Sequence, residues 1–270
     1  MSLVVFTAFC GFVLAPGKMH YVEAIISLLC VAIGAGGAGV LNMWYEWELD
    51  AKMSRTKKRP LPRQVIDPKE ALAFGIILSG FSVVLLGLAS NYFAAFLLAF
   101  TIFFYGVIYT MWLKPRTPQN IVIGGIAGAF PPIIGWVIVS KEFSWMPTLM
   151  FFIIFFWTPV HFWSLALYQT DEYSKVNIPM LPTLVGKKKT GEHMFLYALA
   201  TVLISFLPFF MEFLSLFYFC IALVLGGYLI LKTWRVWKKD FQEASKLFAY
   251  SILYLFLLFL TMLVDDWLFY

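Results

Sequence analysis

The sequence predicts an all-α, polytopic transmembrane helical bundle. Of its 270 residues, 61% are hydrophobic and only 13% are charged, and the apolar runs are too long and too numerous for a soluble core of this size. In hydrocarbon every backbone amide must find a partner within the protein. The runs lack the alternating pattern of an outer-membrane barrel, so the spans are expected to be helices.

Nine membrane spans are expected from the apolar runs. Their limits are roughly 2–15, 22–41, 72–89, 94–113, 120–140, 147–168, 193–211, 215–231 and 247–264. A span needs about 20 residues, so the first run is interpreted as a truncated span; no basic segment precedes it, which argues against a signal peptide. No low-complexity linker divides the chain, which predicts a single domain over residues 1–270.

The distribution of charge predicts the orientation. Of the 20 lysines and arginines, only Lys18 and Lys141 fall on the face opposite the connection after the second span. The positive-inside rule therefore places that connection in the cytoplasm, in a bacterial inner membrane ahead of a mitochondrial one. The two largest connections, 42–71 and 169–192, lie on this face and hold most of the carboxylates. The net charge of +5 thus reflects topology and not nucleic-acid binding.

Three oxygen-bearing side chains follow the second span at helical spacing. Asn42, Glu46 and Asp50 recur at i, i+4 and i+8, so a continuing helix places them in one stripe about 12 Å long. Such a cluster repels an anionic substrate unless a hard cation lies between them, and Mg²⁺ prefers carboxylates together with substrate phosphates. The spacing predicts a metal-bridged diphosphate. The alternative is a solvated helix end whose acids neutralise the basic run that follows.

Cationic and histidine side chains extend this hypothesis. Arg55 and Arg59 are four residues apart and suit phosphate oxygens, although both are equally explained as positive-inside anchors. Lys114 and Arg116 lie on a proline-constrained turn before the fifth span, which indicates an anion site or simple interfacial anchoring. His161 is an ionisable residue inside a span, which indicates either function or hydrogen-bonded packing.

Several stretches resemble a known family. The pattern Asn42-x-x-x-Glu46-x-x-x-Asp50, followed by Arg-Thr-x-x-Arg-Pro-Leu-Pro, resembles the first signature of the UbiA-type intramembrane prenyltransferases. The stretch 114–136, the His-Phe-Trp at 161–163 and the Pro-Met-Leu-Pro at 179–182 resemble the heme O synthase branch of that family. The resemblance runs from Met1 to about Pro208. The family usually has Asp at position 46, Arg at 47 and an acid at 175, where this chain has Glu, Trp and Lys.

The resemblance implies a fold, a reaction and a set of roles. It implies a UbiA-type prenyltransferase that transfers the farnesyl group of farnesyl diphosphate to a vinyl group of heme b, giving heme O and diphosphate. It implies Mg²⁺ held by Asn42, Glu46, Asp50 and Asp171, with Glu172 as a further catalytic residue. The substrate-binding residues that it implies are Arg55, Arg59, Lys114, Arg116, Thr117, Asn120, His161, Trp163 and Tyr173. Partners would be heme b, farnesyl diphosphate, the lipid bilayer, and a heme A synthase or terminal oxidase that receives the product.

Two other functions are considered from the sequence. A related prenyltransferase acting on a quinone precursor or chlorophyll would share the acidic motif, but His161 and the stretches at 117–120 and 179–182 favour heme. A cation-coupled transporter would also use clustered acids. It is disfavoured because the acids gather at one membrane face and no inverted repeat is evident.

Overall fold

The structure, a computed structural model, describes residues 2–169, 179–238 and 241–269. Within these ranges it is helical and contains no strand. Eight helices are long and apolar enough to cross a membrane, and the shorter apolar helix Ser2–Val13 joins them. The all-α polytopic bundle predicted from composition is therefore confirmed, and the chain is an integral membrane protein.

The longest connections between helices are 51–67 and 169–180. In chain order they are α1 (Ser2–Val13), α2 (Tyr21–Tyr45), α3 (Trp47–Asp50), α4 (Pro68–Ala89), α5 (Tyr92–Phe103), the π-helix π1 (Phe104–Leu113), α6 (Asn120–Ala129), α7 (Pro131–Ser140), α8 (Trp145–Tyr168), α9 (Leu181–Phe210), α10 (Leu216–Lys238) and α11 (Ala244–Phe269).

Polar residues at the amino ends set where several helices begin. The side chain of Asp67 accepts a hydrogen bond from the backbone N–H of Lys69 at 2.7 Å, and Pro68 occupies the first turn of α4. The side-chain oxygen of Asn91 accepts from the N–H of Ala94 at 2.8 Å at the start of α5. Each cap satisfies a backbone donor that lacks a partner within its helix.

Two spans differ in detail from the sequence expectation. The fifth span is two helices, because Pro131 opens α7 and the chain bends at Phe130. The seventh span was expected to start at 193, whereas α9 begins at Leu181 and is interrupted at Gly186, where φ is 81°. Because lysines 187–189 are charged, the hydropathy pattern places the start of this span after them. The helix itself continues through them, because a polar residue at the membrane surface does not prevent helix formation.

The helices pack as two groups with separate cores. One core joins α1, α2, α4, α5 and α7, and the other is built mainly from α8, α9, α10 and α11. Close approach of α1 and α7 depends on glycine: a Cβ at Gly135 would lie 1.9 Å from the carbonyl oxygen of Ala8. The space between the two groups contains the candidate site.

Candidate active site

A cavity of about 540 Å³ lies between the two groups of helices. Along α2 it is bounded by Val31, Ala35 and Ala38, and further on by Asn42 and Glu46. These positions span about 22 Å of helix, so the wall changes from apolar to polar towards the carboxyl end of α2. We call the polar part the polar end. Its lining side chains are Asn42, Glu46, Asp50, Arg55, Arg59 and Lys114.

Although α2 ends at Glu46, the three predicted oxygen-bearing residues stay on one face. Glu46 ends α2 with φ −100° and ψ 9°. The N–H of Glu46 still donates to the carbonyl of Asn42 at 3.0 Å, and the N–H of Asp50 donates to the carbonyl of Glu46 at 2.7 Å. Two successive i to i+4 bonds preserve the helical register across the break. All three side chains therefore line the same cavity.

Both acids at the polar end are buried and paired with cations. Glu46 is 8% exposed and Asp50 is 3% exposed. The Lys114 Nζ lies 2.6 Å from Glu46, and an Arg59 Nη1 lies 2.6 Å from Asp50. The solvated helix end considered from the sequence is therefore seen at Glu48, which is exposed, and not at Glu46 or Asp50. The polar end carries buried opposite charges in hydrogen-bond contact, an arrangement suited to a ligand that is itself both anionic and cationic.

The π-helix positions the cation that contacts Glu46. In π1 the hydroxyl of Thr110 donates to the carbonyl of Tyr105 at 2.8 Å, and the amide of Asn42 donates to that hydroxyl at 3.2 Å. This link ties α2 to π1 one turn before Lys114. Tyr105 and Tyr109, whose rings are 5.5 Å apart, face the cavity from the same segment. A wider helical turn at a functional site is a recurrent use of π-geometry.

The connection after α3 forms the rest of the polar end. The hydroxyl of Thr56, which is 1% exposed, donates to the backbone carbonyl of Asp50 at 2.9 Å. This bond fixes the turn that brings Arg59 back to the Asp50 carboxylate. Arg55 also lines the cavity, and its side chain is exposed.

Four residues assigned to the site by resemblance lie elsewhere in the described structure. Arg116 folds back on π1 and donates to the carbonyls of Met111 and Trp112 at 3.3 and 3.1 Å. Thr117 and Asn120 organise the turn before α6, where the Asn120 amide donates to the Thr117 carbonyl at 2.6 Å. These contacts hold the segment that follows Lys114, and none of the three residues lines the cavity. The amide oxygen of Asn120 is buried without a hydrogen-bond partner, and a substrate-binding role for the three residues stays a prediction.

Trp163 is the fourth of these residues. It is 1% exposed, and its ring packs edge-on against Tyr197 at 5.5 Å and against His193 at 6.3 Å. It lies two residues beyond His161 on α8, so its side chain points about 160° away, to the core between α8 and α9. Trp163 does not line the described cavity, and its substrate-binding role stays a prediction.

Three predicted site residues lie outside the described residues: Asp171, Glu172 and Tyr173. His161 is described and lines the cavity. Sequence reasoning missed Tyr105, Tyr109, Thr110 and Thr56. The spacing of the two tyrosines could have indicated a shared helix face, since they are four residues apart in the span that ends just before Lys114. The same spacing, however, occurs for many aromatic residues in this chain.

The donor set at the polar end fits Mg²⁺. Among the described residues no group of three or more His, Cys, Asp or Glu side chains could hold a metal. Mg²⁺, however, is typically held by one or two carboxylates together with substrate phosphates and water. Glu46 and Asp50 supply two carboxylates. Asn42 donates through its amide nitrogen, which leaves its amide oxygen as a further hard ligand.

The fold and the cavity together define an integral membrane protein with an internal amphipathic site, charged at one end and apolar along its length. The chain belongs to the UbiA prenyltransferase family, which matches residues 4–263. The family resemblance recognised in the sequence is thereby confirmed.

Relatives and solved structures agree with this membership. The chain is 54% identical to a protein named protoheme IX farnesyltransferase from Rhizobium leguminosarum bv. trifolii, with 98% of this chain and 85% of the relative covered. It is 51% identical to one of the same name from Brucella ovis, with 98% and 86% covered.

Two solved structures share the fold. One, described as digeranylgeranylglyceryl phosphate synthase, has a TM-score of 0.82 at 18% identity and covers 97% of this chain and 92% of its own. The other is a UbiA homolog from Archaeoglobus fulgidus bound to DMAPP and Mg²⁺, with a TM-score of 0.67 at 15% identity and 94% of each chain covered.

Proposed function

We propose that this protein transfers the farnesyl group of farnesyl diphosphate to a vinyl group of heme b, giving heme O and diphosphate. The observation that carries the proposal is a cavity in which a charged end meets a long apolar wall. A diphosphate fits the charged end, whereas a farnesyl chain and a porphyrin both need apolar surroundings. Relatives at 51–54% identity bear the name protoheme IX farnesyltransferase, which supports heme as the acceptor.

The residues of the polar end would exchange partners when the diphosphate binds. Arg59 and Lys114 can turn from the carboxylates to phosphate oxygens, joined by the exposed Arg55. Asn42, Glu46 and Asp50 are then free to hold Mg²⁺. The bound metal supplies positive charge to the leaving diphosphate. Asp171 and Glu172 are proposed as further ligands on the basis of the resemblance.

Chemistry then follows in the apolar part of the cavity. The bond between farnesyl C1 and oxygen breaks, and its electron pair leaves with the diphosphate. The vinyl group donates its π electrons to C1, water adds to the resulting cation, and a proton is lost to water. Tyr105 and Tyr109 line the cavity in the segment that leads to Lys114, and their rings are proposed to stabilise the allylic cation, as aromatic faces do.

The proposal includes a location. The polar end is formed by the connections that carry most of the basic residues, so it faces the cytoplasm of a bacterial inner membrane by the positive-inside rule. Both apolar substrates would reach the cavity from the bilayer. The product would pass to a heme A synthase or a terminal oxidase, on the basis of the resemblance alone.

The alternatives are less well supported. A quinone precursor or chlorophyll as acceptor would suit the same polar end, but relatives above 50% identity are named for protoheme IX. A cation-coupled transporter does not agree with membership of a prenyltransferase family.

The direct test uses the purified full chain in lipid nanodiscs. We expect heme b and farnesyl diphosphate to yield heme O, detected by mass, in the presence of Mg²⁺ and not in the presence of a chelator. Asp50→Asn should lower the turnover by about 100-fold or more, because it weakens charge stabilisation of the leaving group. The matched control is Glu48→Gln, two residues away and exposed. Equal loss in both variants, or turnover with chelator, would contradict the proposal.

A further inference from the structure

His161 is held at the cavity wall by an aromatic and hydrogen-bonding frame. It is the one histidine among the described residues that lines the cavity. The Trp157 ring stacks on it at 4.5 Å and 15°, and the Phe248 ring stacks on it at 4.6 Å and 22°. Two rings stacked side by side on one face would also contact each other, and these two do not form an aromatic pair in the described structure. They therefore cover opposite faces of the imidazole.

The hydrogen bonds around Ser251 assign the protons of this imidazole. The Ser251 hydroxyl lies 2.8 Å from His161 Nδ1 and also donates to the carbonyl of Phe248 at 2.6 Å. A hydroxyl carries a single proton. A backbone carbonyl can only accept, so we assign the serine proton to the Phe248 carbonyl and make Nδ1–H the donor to the serine oxygen. The lone pair of the neutral ring is therefore on Nε2.

The same serine also holds one of the stacking rings. The indole N–H of Trp157 donates to the Ser251 backbone carbonyl at 2.8 Å. Ser251 on α11 thus fixes both the tautomer of His161 and the ring that covers one of its faces. With both faces covered and Nδ1 bonded, the part of His161 that can line the cavity is the ring edge that carries Nε2. In the described structure this nitrogen has no protein partner.

We propose that His161 Nε2 is the axial ligand of the heme iron when the acceptor substrate is bound. The inference rests on the proposed function, since it takes heme b as the acceptor. Iron-binding histidines characteristically donate their other ring N–H to a neighbouring oxygen, which fixes the ring and raises its basicity. That second bond is already present here. A neutral nitrogen in an apolar cavity is a ligand that heme proteins commonly use.

Ligation would also serve the reaction. The porphyrin is large and apolar, and apolar contact alone restrains its rotation weakly. A bond from a ring that is itself fixed by Trp157, Phe248 and Ser251 would hold the macrocycle at one depth in the cavity, with its vinyl groups within reach of the farnesyl carbon. His161 is then a substrate-binding residue, and Ser251 is a positioning residue that acts through it.

The test is spectroscopic and needs no turnover. The purified full chain is loaded with heme b alone and reduced, and resonance Raman is used to measure the iron–histidine stretch. We expect the band in the wild type, its loss in His161→Ala and His161→Gln, and its recovery when free imidazole is added to His161→Ala. The matched control is His193→Ala, because His193 contacts Trp163 and does not line the cavity. That variant should keep the band.

The positioning role is tested in the same assay. Ser251→Ala should shift the iron–histidine band and raise the Kd for heme b by about 10- to 100-fold, the usual effect of losing such an outer partner. Ser251→Thr keeps the hydroxyl and should restore the band position. A purely structural role for Ser251 would change protein stability and leave the band frequency of the bound heme where it was.

The outcomes separate this inference from the proposed function. Absence of the band in wild type, or an unchanged band in His161→Ala, would overturn the ligation. A hydrogen bond from His161 to a propionate would lower heme affinity in His161→Ala without any effect on the iron spectrum, and would equally overturn it. If the band behaves as expected but no heme O forms from heme b and farnesyl diphosphate, the proposed function fails and the iron site stands.

Discussion

At the scale of single residues, the polar end is organised by charge. Glu46 and Asp50 would be strongly destabilising if they were buried alone, because an ionised carboxylate loses its hydration there. Lys114 and Arg59 compensate for that loss. The free protein therefore holds its acids and its cations in balance, and a ligand must supply both signs of charge to displace these pairs.

This balance predicts coupled binding. Inorganic diphosphate, used as the probe, should bind at least about tenfold more tightly with Mg²⁺ than without it. The anion alone would draw the two cations away and leave two buried carboxylates unpaired, and the metal alone would leave the two cations unpaired; each is costly. Calorimetric titration of the full chain measures both affinities. In Glu46→Gln combined with Asp50→Asn, the dependence on Mg²⁺ should disappear. A wild-type affinity that Mg²⁺ leaves unchanged would contradict the coupling.

The two arginines predict different consequences of truncation. Arg59→Ala leaves the Asp50 carboxylate buried without its partner, so we expect a lower Tm together with a higher KM for farnesyl diphosphate. Arg55→Ala removes an exposed guanidinium that lines the cavity, so KM should rise about tenfold while Tm stays constant. Thermal unfolding and steady-state kinetics on both variants check this. A comparable fall in Tm for Arg55→Ala would contradict the different roles given to the two arginines.

At the scale of helices, close backbone contact decides how α1 joins the bundle. A Cβ at Gly11 would lie 2.0 Å from the Pro132 carbonyl oxygen, and one at Gly135 would lie 1.9 Å from that of Ala8. Backbone atoms cannot move aside as flexible side chains can. The residues Leu3, Val4 and Thr7 of α1 line the cavity, so this contact also sets part of the site.

The α1 contact predicts a stability effect. Gly135→Ala should lower the Tm in detergent by several degrees, because the new methyl group must push α1 from α7. Gly80→Ala on α4 is the control, since a Cβ there meets no atom within 4 Å and alanine favours helix. Its Tm should be unchanged or higher. Equal Tm values in the two variants would mean that α1 does not pack as the structure has it.

At the scale of the whole molecule, the two helix groups enclose a site that neither group forms alone. The wall of the cavity takes the acids from α2 and α3, the cation and tyrosines from π1 and the residue after it, and His161 from α8. The polar end lies towards the basic connections. With the proposed orientation, this arrangement would give a diphosphate access from the aqueous face and apolar substrates an apolar interior.

The orientation predicts a labelling pattern. In a Cys220→Ser background, where Cys10 and Cys30 are buried, a membrane-impermeant maleimide should label Lys18→Cys in intact cells and Lys58→Cys only in inside-out vesicles. Both lysines are exposed. The physical reason is that eighteen of the twenty basic residues share one face. The reverse pattern would place the polar end outside the cell.

Much of the fold could be predicted from the sequence because its signals are local. Apolar length gives the spans, and the spacing of Asn42, Glu46 and Asp50 gives a shared face. The start of α9 was missed because hydropathy detects the membrane-buried part of a helix and not the whole helix. Local signals do not say which helix face meets the cavity: His161 lines it, whereas Trp163, two residues further on, packs between α8 and α9.

By itself, the sequence determined that this chain is a bundle of membrane-spanning helices and that its acids recur at helical spacing; the common face of its positive charge stays a prediction. Only the tertiary structure decided which groups meet. Lys114 contacts Glu46 from 68 residues away, and Ser251 contacts His161 from 90 residues away. The reason is that the periodicity of the sequence shows which face of a helix is apolar. Which other helix packs against that face depends on the packing of helices that are far apart in sequence.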